Sequence, residues 1–540
     1  MEDDTSTQPN YNALFVFGDS LSDNGAVFAL SGGRIPPAEI TGVDLNGNDV
    51  DFAALGITYD GKFTNGNVYA DVAADLLNIP TDTSTFYDDF SGSNFAVGGA
   101  TATDLSSIGG TASNTYADQL AAFQQLVGGL PGSEEENAAF LDGAAASVFL
   151  GLNDLGALGV AATAGGTIDQ SVIEAGVAAV VAELFTQSQA LAETGVGTII
   201  LNKLPGGSFF PNSNPLIDFF GPATAELFDT VSASVNDGID ALAASLVAQG
   251  TNVEVVDFFS LANEVQTDAG TFGFLTLENA LPGSNAVNTL LIDDVPIDQI
   301  GFIDPVHFTA ELHEVFGAFQ AMTLGNTQVD GTDGSDILTG TDTADTTFAK
   351  GGNDIIRSGA GDDLAFGGAG DDVMFGGAGH DILFGGIGND LILGQNGNDV
   401  LSGGTGTDVL FAGAGHDVVV GNAGNDFING GAGDDLLIDG LGDDVVAGGR
   451  GDDTAIYRAA SDIGGVNGQD KDFFFGGAGS DTLIIVSDTE ISDVDAFLEA
   501  NNVQVFDFEI VMTMTSDELE MYDFGIVGLQ DNTADLFGLL

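Results

Sequence analysis

Aspartate returns at every ninth residue through a long part of the chain. Fourteen such aspartates follow one another from Asp336 to Asp453, and a glycine stands two positions before each except at Thr343. Between residues 330 and 457 there are 23 Asp and no Glu, so the repeat selects the shorter carboxylate. Because nine residues are too few for a helix pair or a propeller blade, each unit predicts a glycine-rich tight turn followed by a short strand.

Stacked turns of this kind would place aspartate carboxylates and backbone carbonyls in rows. These all-oxygen surroundings suit a hard cation such as Ca²⁺ in a structural role. A disordered acidic segment is the alternative, but aliphatic residues two positions after most of the aspartates argue against it. The predicted calcium ligands are Asp336, Asp354, Asp363, Asp372, Asp381, Asp390, Asp399, Asp408, Asp417, Asp426, Asp435, Asp444 and Asp453.

The units include "GGAGDDVMF" and "GGAGHDILF" and resemble the calcium-binding nonapeptide repeats of RTX proteins. The resemblance implies an all-β parallel β-roll in which two repeats form one coil, so that the array would make about seven coils. One further copy, "GGAGSDTLI" (476–484), is out of phase with the others.

The chain carries 82 Asp and Glu against 8 Lys and Arg, a formal net charge of −74. This charge repels nucleic acid and anionic membrane surfaces and makes cations the natural partners. Cysteine is absent from the sequence, which excludes disulfides, thiolate metal sites and a cysteine nucleophile. Covalent catalysis would therefore use Ser, Thr or a carboxylate.

Before residue 330 short apolar runs alternate with alanine-rich helical stretches. The runs lie at 13–17, 147–152, 197–202 and 253–258, and the helical stretches include 172–192 and 233–248. This alternation indicates a parallel sheet covered by helices, with a functional site beyond the carboxyl ends of its strands. Ser20 follows the first run directly in "FVFGDSLSDNG", where it is either a nucleophile or the polar residue that closes a strand.

A serine nucleophile requires a base, a group that orients the base, and donors for the oxyanion. Of the four histidines, His380 and His416 lie inside the repeats, which leaves His307 and His313. His307 follows Asp304 by three residues in "FIDPVHFT", so one turn can carry the base and its partner, although a structural turn pair is also possible. His313 in "ELHEV" is expected on the surface of the following helix.

Two other segments offer oxyanion donors. The sequence "SNFAVGGAT" can present a backbone N–H at Gly99, or at Gly98, unless this glycine pair forms an ordinary turn. The sequence "FLGLND" sets Asn153 just past a strand end, where its amide is either a further donor or a helix N-cap.

Five segments, "FGDSLSDNG", "GKFTNG", "NFAVGGAT", "GLND" and "DPVHFT", stand in the order expected of the GDSL family of SGNH hydrolases, the ester-cleaving lipases and esterases. Residues 12–325 resemble this family, which implies an α/β, flavodoxin-like sandwich with a parallel sheet. The implied site residues are the nucleophile Ser20, the base pair His307 and Asp304, and the oxyanion donors Ser20, Gly99 and Asn153. Lys62, where arginine is common, and Tyr69, where many members have tryptophan, depart from the family pattern.

We therefore expect a hydrolase domain over 1–329, a calcium-binding β-roll over 330–457, and a cap over 458–540. The start "MEDDTSTQPN" lacks the features of a secretory signal peptide, and no transmembrane helix is expected. In RTX proteins the C-terminal tail is an uncleaved signal for a type I (ABC) secretion channel, and the ending "TADLFGLL" is similar. These features predict a secreted, extracellular monomer.

The predicted function is hydrolysis of carboxylic esters through a serine acyl-enzyme, with calcium structuring the C-terminal half. Phospholipase, lysophospholipase or haemolysin-like activity is the alternative, and a non-enzymatic RTX adhesin is a further one. A metalloprotease would need H-E-x-x-H, and "HEVFG" lacks the second histidine. An α/β-hydrolase lipase would need G-x-S-x-G, and no serine here has both glycines.

Overall fold

The computed structural model forms two compact units, one of residues 1–266 and 274–325, the other of residues 267–273 and 326–540. The structure describes residues 11–18, 41–43, 49–51, 68–77, 79, 96, 115–130, 133–152, 154–155, 158, 162, 169–206, 209, 222–267, 276–279, 300–302, 310–458, 471–487, 491 and 493–514.

The first unit is built on a four-stranded parallel sheet. Its strands are β1 Ala13–Gly18, β4 Ala144–Phe149, β5 Thr198–Asn202 and β6 Asn252–Val256, hydrogen-bonded in the order β1-β4-β5-β6. All four strands occur where the apolar runs predict them, and β1, β4 and β5 are buried along their whole length. Two short pairs accompany this sheet: β2 Thr41–Val43 with β3 Asp49–Asp51, antiparallel, and β7 Thr276–Asn279 with β8 Ile300–Phe302, parallel.

Seven described helices belong to the first unit. They are α1 Tyr69–Leu76, α2 Tyr116–Gly128, α3 Glu134–Asp142, α4 Gln170–Ala192, α5 Pro222–Ala248, α6 Phe258–Thr267 and α7 Ala310–Thr323. Local sequence fixes where α2 and α3 begin, because Thr115 with Asp118 and Ser133 with Glu136 each form a capping box. The α/β fold with a parallel sheet is thus confirmed.

By length and composition alone, helix α4 could cross a bilayer. Of its most apolar 18-residue stretch, 22% is buried in the protein. It packs against α5 and α2. A single helix of this kind is weak evidence for a membrane span, because helices that cover a sheet meet the same criterion.

The second unit contains nineteen described strands in two parallel sheets. They are β9 Thr327–Asp330, β10 Ile337–Thr339, β11 Asp345–Phe348, β12 Ile355–Ala360, β13 Leu364–Ala369, β14 Val373–Ala378, β15 Ile382–Ile387, β16 Leu391–Asn396, β17 Val400–Gly406, β18 Val409–Ala414, β19 Val418–Gly424, β20 Phe427–Ala432, β21 Leu436–Ile438, β22 Val445–Arg450, β23 Thr454–Arg458, β24 Phe473–Ala478, β25 Thr482–Val486, β26 Gln504–Phe506 and β27 Ile510–Met514. Helix α8 Val494–Ala500 lies between β25 and β26.

Successive repeats alternate between the two sheets. Even-numbered strands from β10 to β26 form one sheet and odd-numbered strands from β9 to β27 form the other. Each regular strand pairs in parallel with the strand 18 residues later, as Met374 does with Ile392. Two nonapeptides therefore make one coil, as the RTX resemblance implies, and the sheets continue past residue 457 through β24 to β27.

In thirteen of the fourteen repeats the residue two positions after the aspartate is apolar and packs in the core between the sheets. Met374, Leu383, Ile392 and Leu401 are fully buried in one continuous hydrophobic core. Most repeats bury a large apolar side chain here, and each such side chain contributes about 1.5–3 kcal/mol. This burial offsets part of the entropy lost in ordering the glycine-rich turns.

Candidate functional site

The carboxyl ends of β1 and β4 lie side by side in the first unit. Gly18 and Phe149, the last residues of these strands, are register partners. Ser20 follows Gly18 by two residues and Asn153 follows Phe149 by four. Because parallel strands end at one edge of a sheet, both segments leave the sheet from neighbouring points of the same edge.

A buried glutamine holds the end of β1. The Gly18 N–H donates to Gln119 Oε1 at 3.0 Å, and Gln119 Nε2 donates to the Gly18 carbonyl at 2.7 Å. Gln119 lies on α2 among the buried residues Tyr116, Leu120 and Phe123. Both backbone groups of Gly18 are thereby satisfied by a side chain, which fixes where the chain leaves the sheet toward Ser20.

A second amide side chain, that of Asn236, satisfies both backbone groups of a residue just after β5. Leu204 donates its N–H to Asn236 Oδ1 at 2.8 Å and accepts from Asn236 Nδ2 at 3.0 Å. Leu204 also packs close to Gly151, whose φ of +130° begins the turn after β4 that leads to Asn153; a Cβ there would lie 2.8 Å from Leu204 Cδ1.

A polar network joins the sheet to α7. Asn202 Nδ2 donates to Ser147 Oγ at 2.9 Å, and Gln320 Nε2 donates to Asn202 Oδ1 at 2.7 Å. All three side chains are buried. Since α7 begins three residues after His307, this network anchors the element that follows the predicted base.

The prediction that His313 is a surface residue is wrong. His313 lies on α7 as expected, but it is fully buried, and its Nδ1 accepts the N–H of Tyr69 at 3.1 Å. Tyr69 is the first residue of α1, which packs against α7. His313 thus satisfies a helix N-terminal donor that would otherwise be buried without a partner.

The predicted catalytic and oxyanion residues lie outside the described residues. They are Ser20, Gly98, Gly99, Asn153, Asp304 and His307. The described residues instead supply the framework around them. Sequence reasoning missed Gln119, Asn202 and Gln320; for Gln119 the available signal was a polar residue on the apolar face of a helix.

The repeat aspartates of the second unit form two ladders, one along each sheet. In each ladder the backbone N–H of one aspartate donates to Oδ1 of the aspartate 18 residues later, at 2.7–3.0 Å. The ladder along the even-numbered strands ends where the Asp444 N–H donates to Asp472. The ladder along the odd-numbered strands ends where the Asp453 N–H donates to Asp481 and the Asp481 N–H donates to Glu509. One carboxylate oxygen per repeat is thereby used.

The second carboxylate oxygen points into the glycine turns. Oδ2 is buried and has no hydrogen-bond partner among the described residues in Asp354, Asp363, Asp372, Asp381, Asp390, Asp399, Asp417, Asp426, Asp435, Asp444, Asp453 and Asp481. A Cβ added to Gly367 would lie 2.6 Å from both Asp372 Oδ2 and the Gly385 carbonyl oxygen. A carboxylate oxygen and a carbonyl oxygen of the next coil therefore flank one small space, a donor set that fits Ca²⁺.

Burial also raises the pKa of these carboxyl groups. The pKa is raised to about 6 in Asp399, to about 7 in Asp363, Asp372, Asp417, Asp426, Asp435 and Asp453, and to about 8 in Asp381, Asp390 and Asp444. Desolvation is the main cause, with smaller contributions from neighbouring carboxylates. A bound cation would stabilise the charged form that burial disfavours.

The first coil differs from the others. Oδ2 of Asp336 accepts the N–H of Thr332 at 2.7 Å and its hydroxyl at 2.8 Å, and these bonds lower the Asp336 pKa. Asp345 accepts the Thr341 N–H in the same way. Both carboxylates accept hydrogen bonds within their own turns, unlike the buried Oδ2 atoms of the twelve aspartates named above.

Comparison with protein-family models agrees with this architecture. Residues 14–318, more than half of the 540, match the GDSL-like Lipase/Acylhydrolase family, and seven segments between 323 and 484 match the RTX calcium-binding nonapeptide repeat. A search of curated proteins found no match. The repeats bind calcium in a structural role. The chain therefore belongs to the GDSL-like lipase/acylhydrolase family and joins that hydrolase domain to a C-terminal calcium-binding repeat region.

Proposed function

We propose that the protein is a secreted serine hydrolase that cleaves carboxylic esters through an acyl-enzyme. Ser20 is the nucleophile, His307 the general base, and Asp304 the residue that orients the imidazole. Ser20 and Gly99 supply backbone N–H donors for the oxyanion and Asn153 supplies its side-chain amide.

The observation that carries this proposal is the pairing of Gly18 with Phe149 at the carboxyl edge of the sheet. The segments of sequence that lead to Ser20 and to Asn153 start from adjacent strand ends. Gln119 fixes the first of these ends through both backbone groups of Gly18. A nucleophile and an oxyanion donor must lie within a few ångströms of one carbonyl, and the pairing of these two strand ends supports such an arrangement.

In this mechanism His307 takes the Ser20 hydroxyl proton as the oxygen attacks the ester carbonyl. The tetrahedral oxyanion is stabilised by the three donors, of which each is worth about 10²–10³ in turnover. The imidazolium then protonates the leaving alcohol, and water, activated by the same base, releases the acid and restores Ser20.

Calcium has a structural role in this proposal, and folding that depends on calcium is compatible with export of the unfolded chain. We infer that the chain passes through a type I secretion channel while its repeats are unfolded, and that they fold outside where calcium is abundant. The buried, uncompensated oxygens of the ladders support this order of events, because burial raises the pKa of all twelve of these carboxyl groups.

Hydrolysis rates across p-nitrophenyl esters of increasing acyl length, phosphatidylcholine and an acetylated sugar would test the activity and define the substrate. Ser20→Ala is the blank. We expect activity on at least one carboxylic ester and its loss in Ser20→Ala. Preferred cleavage of phosphatidylcholine would assign a phospholipase, whereas no hydrolysis of any ester, combined with binding to cells, would favour an adhesin.

A further inference from the structure

One position of the repeat decides what faces the buried carboxylate oxygen. It lies five residues before each repeat aspartate, and at Gly367 and Gly385 an added Cβ would lie within 2.6 Å of the Oδ2 of that aspartate. Across the fourteen repeats this position holds Gly331, Gly340, Ala349, Ser358, Gly367, Gly376, Gly385, Gly394, Gly403, Ala412, Gly421, Gly430, Asp439 and Gly448. Asp439 is the only carboxylate in this series.

Asp439 brings a third carboxylate to Asp444 and Asp472. One oxygen from each of these residues lies within 4.8 Å of the other two. The side chains are almost completely buried, with exposed fractions of 1%, 0% and 2%. Oδ1 of Asp439 and Oδ2 of Asp444 have no hydrogen-bond partner in the described part of the chain.

Three carboxylates at this separation repel one another strongly in a water-poor site. Nothing in the repeat pattern requires a side chain at residue 439, because glycine holds this position in ten of the fourteen repeats. Buried charges are retained when they are paired or coordinate a metal. Ca²⁺ prefers oxygen ligands alone, and this cluster supplies three acidic side chains.

The cluster also lies where the spacing of the coils changes. Asp444 donates its N–H to Asp472, 28 residues later rather than 18, and the intervening chain includes ten extra residues. An ion held by Asp439 and Asp444 on one coil and by Asp472 on the next would join the coils across this insertion.

We propose that Asp439, Asp444 and Asp472 form a distinct calcium site that holds its ion more tightly than the repeat sites do. The Asp439 carboxylate supplies a charge that the position five residues before the repeat aspartate lacks in the other repeats. Ligand charge is a main determinant of calcium affinity. The site ties the last coil before the insertion to the first coil after it.

The full chain, loaded with calcium, is dialysed against buffers of decreasing free calcium set by a chelator, and bound calcium is counted by elemental analysis. The wild type is expected to keep one ion after the others have left. Asp439→Gly restores the repeat consensus and should lose this ion, so that its last calcium leaves at about tenfold higher free calcium. Asp443→Asn removes the same charge from an exposed neighbouring residue and should leave the release curve unchanged.

Two further variants keep the test decisive if Asp439→Gly fails to fold. Asp439→Asn preserves shape and should weaken the last ion; an unchanged curve would mean that residue 439 holds a neutral carboxyl and no ion. Ser358→Asp places a carboxylate at the same position beside Asp363 in a regular coil, where the serine hydroxyl is buried without a described partner, and should add one tight ion. A release curve identical to wild type in Asp439→Gly, in Asp439→Asn or in Ser358→Asp would overturn the proposal.

Discussion

Removing calcium at pH 8 should unfold the β-roll. In the folded roll ten aspartates have a pKa that burial raises to about 6–8. For Asp381, whose pKa rises from 3.8 to about 8, the ionised folded state is destabilised by on the order of 4 kcal/mol once solvent screening is allowed for. Three such groups reach the whole stability of a typical domain, about 5–15 kcal/mol.

The pH dependence has a definite sign. Between about pH 4 and pH 8 these carboxyls bind more protons in the folded roll than in the unfolded chain, so lower pH stabilises the calcium-free roll. The destabilisation is absent below the unfolded pKa and complete above the folded pKa values. With calcium bound, the same carboxylates are neutralised by the ion, and the dependence should largely disappear over this range.

Hydrogen exchange at pH 7.5 locates the effect and circular dichroism across pH gives its sign. With excess chelator, peptides from 354–453 should lose protection while peptides from β4 and β5 keep theirs. The β signal of the chelated protein should increase as the pH is lowered from 8 to 5.5. Equal protection with and without chelator, or a β signal that falls with pH, would refute the reasoning.

Three substitutions test other parts of the structure. Gln119→Leu leaves the buried N–H and carbonyl of Gly18 unsatisfied at a cost of about 1–3 kcal/mol each. The urea concentration at the unfolding midpoint should therefore fall, and ester turnover should drop at least tenfold. Gln124→Leu, on the exposed side of α2, should change neither. Leu401→Ala should cost about 2–5 kcal/mol in urea unfolding of the calcium-loaded roll, whereas Ile387→Ala, at a residue 41% exposed, should cost far less; equal losses would contradict the assigned core. Gly424→Ala places a methyl group against the Gly406 carbonyl at φ +154° and should raise the calcium concentration needed for folding; an unchanged calcium midpoint would count against this turn geometry.

The architecture of both units could be predicted because it depends on patterns between residues that are close in sequence. The period of nine and the position of the aliphatic residue fix which side chain of each repeat faces the core. The pairing of two repeats per coil needed the RTX resemblance. In the first unit, continuous apolar runs identified the four strands because parallel strands are buried on both faces.

The polar framework of the candidate site could not be predicted in this way. Gln119 bonds to a residue 101 positions away, and Gln320 to Asn202 across 118 positions. His313 lies between Glu311 and Glu314 in "ELHEV", which favours a surface position, yet the packing of α7 on α1 buries it. These contacts depend on how elements distant in sequence meet, and no local pattern encodes that.

The departure at Asp439 could be read from the sequence only with the structure beside it. In the repeat pattern alone, Asp439 is one of four replacements of glycine at this position. The proposed role of Asp439 as a metal ligand depends on Asp472, which the insertion moves out of the period of nine, and on the burial of both side chains.

The central claim is that Ser20 is the nucleophile of an ester hydrolase, and an active-site-directed fluorophosphonate tests it most directly. The reagent should add once per chain, and peptide mass mapping should place the adduct on Ser20. Ser20→Ala should take up no reagent and hydrolyse no ester, with an unchanged circular dichroism spectrum. An adduct on another residue, or full hydrolysis by a folded Ser20→Ala protein, would contradict the account.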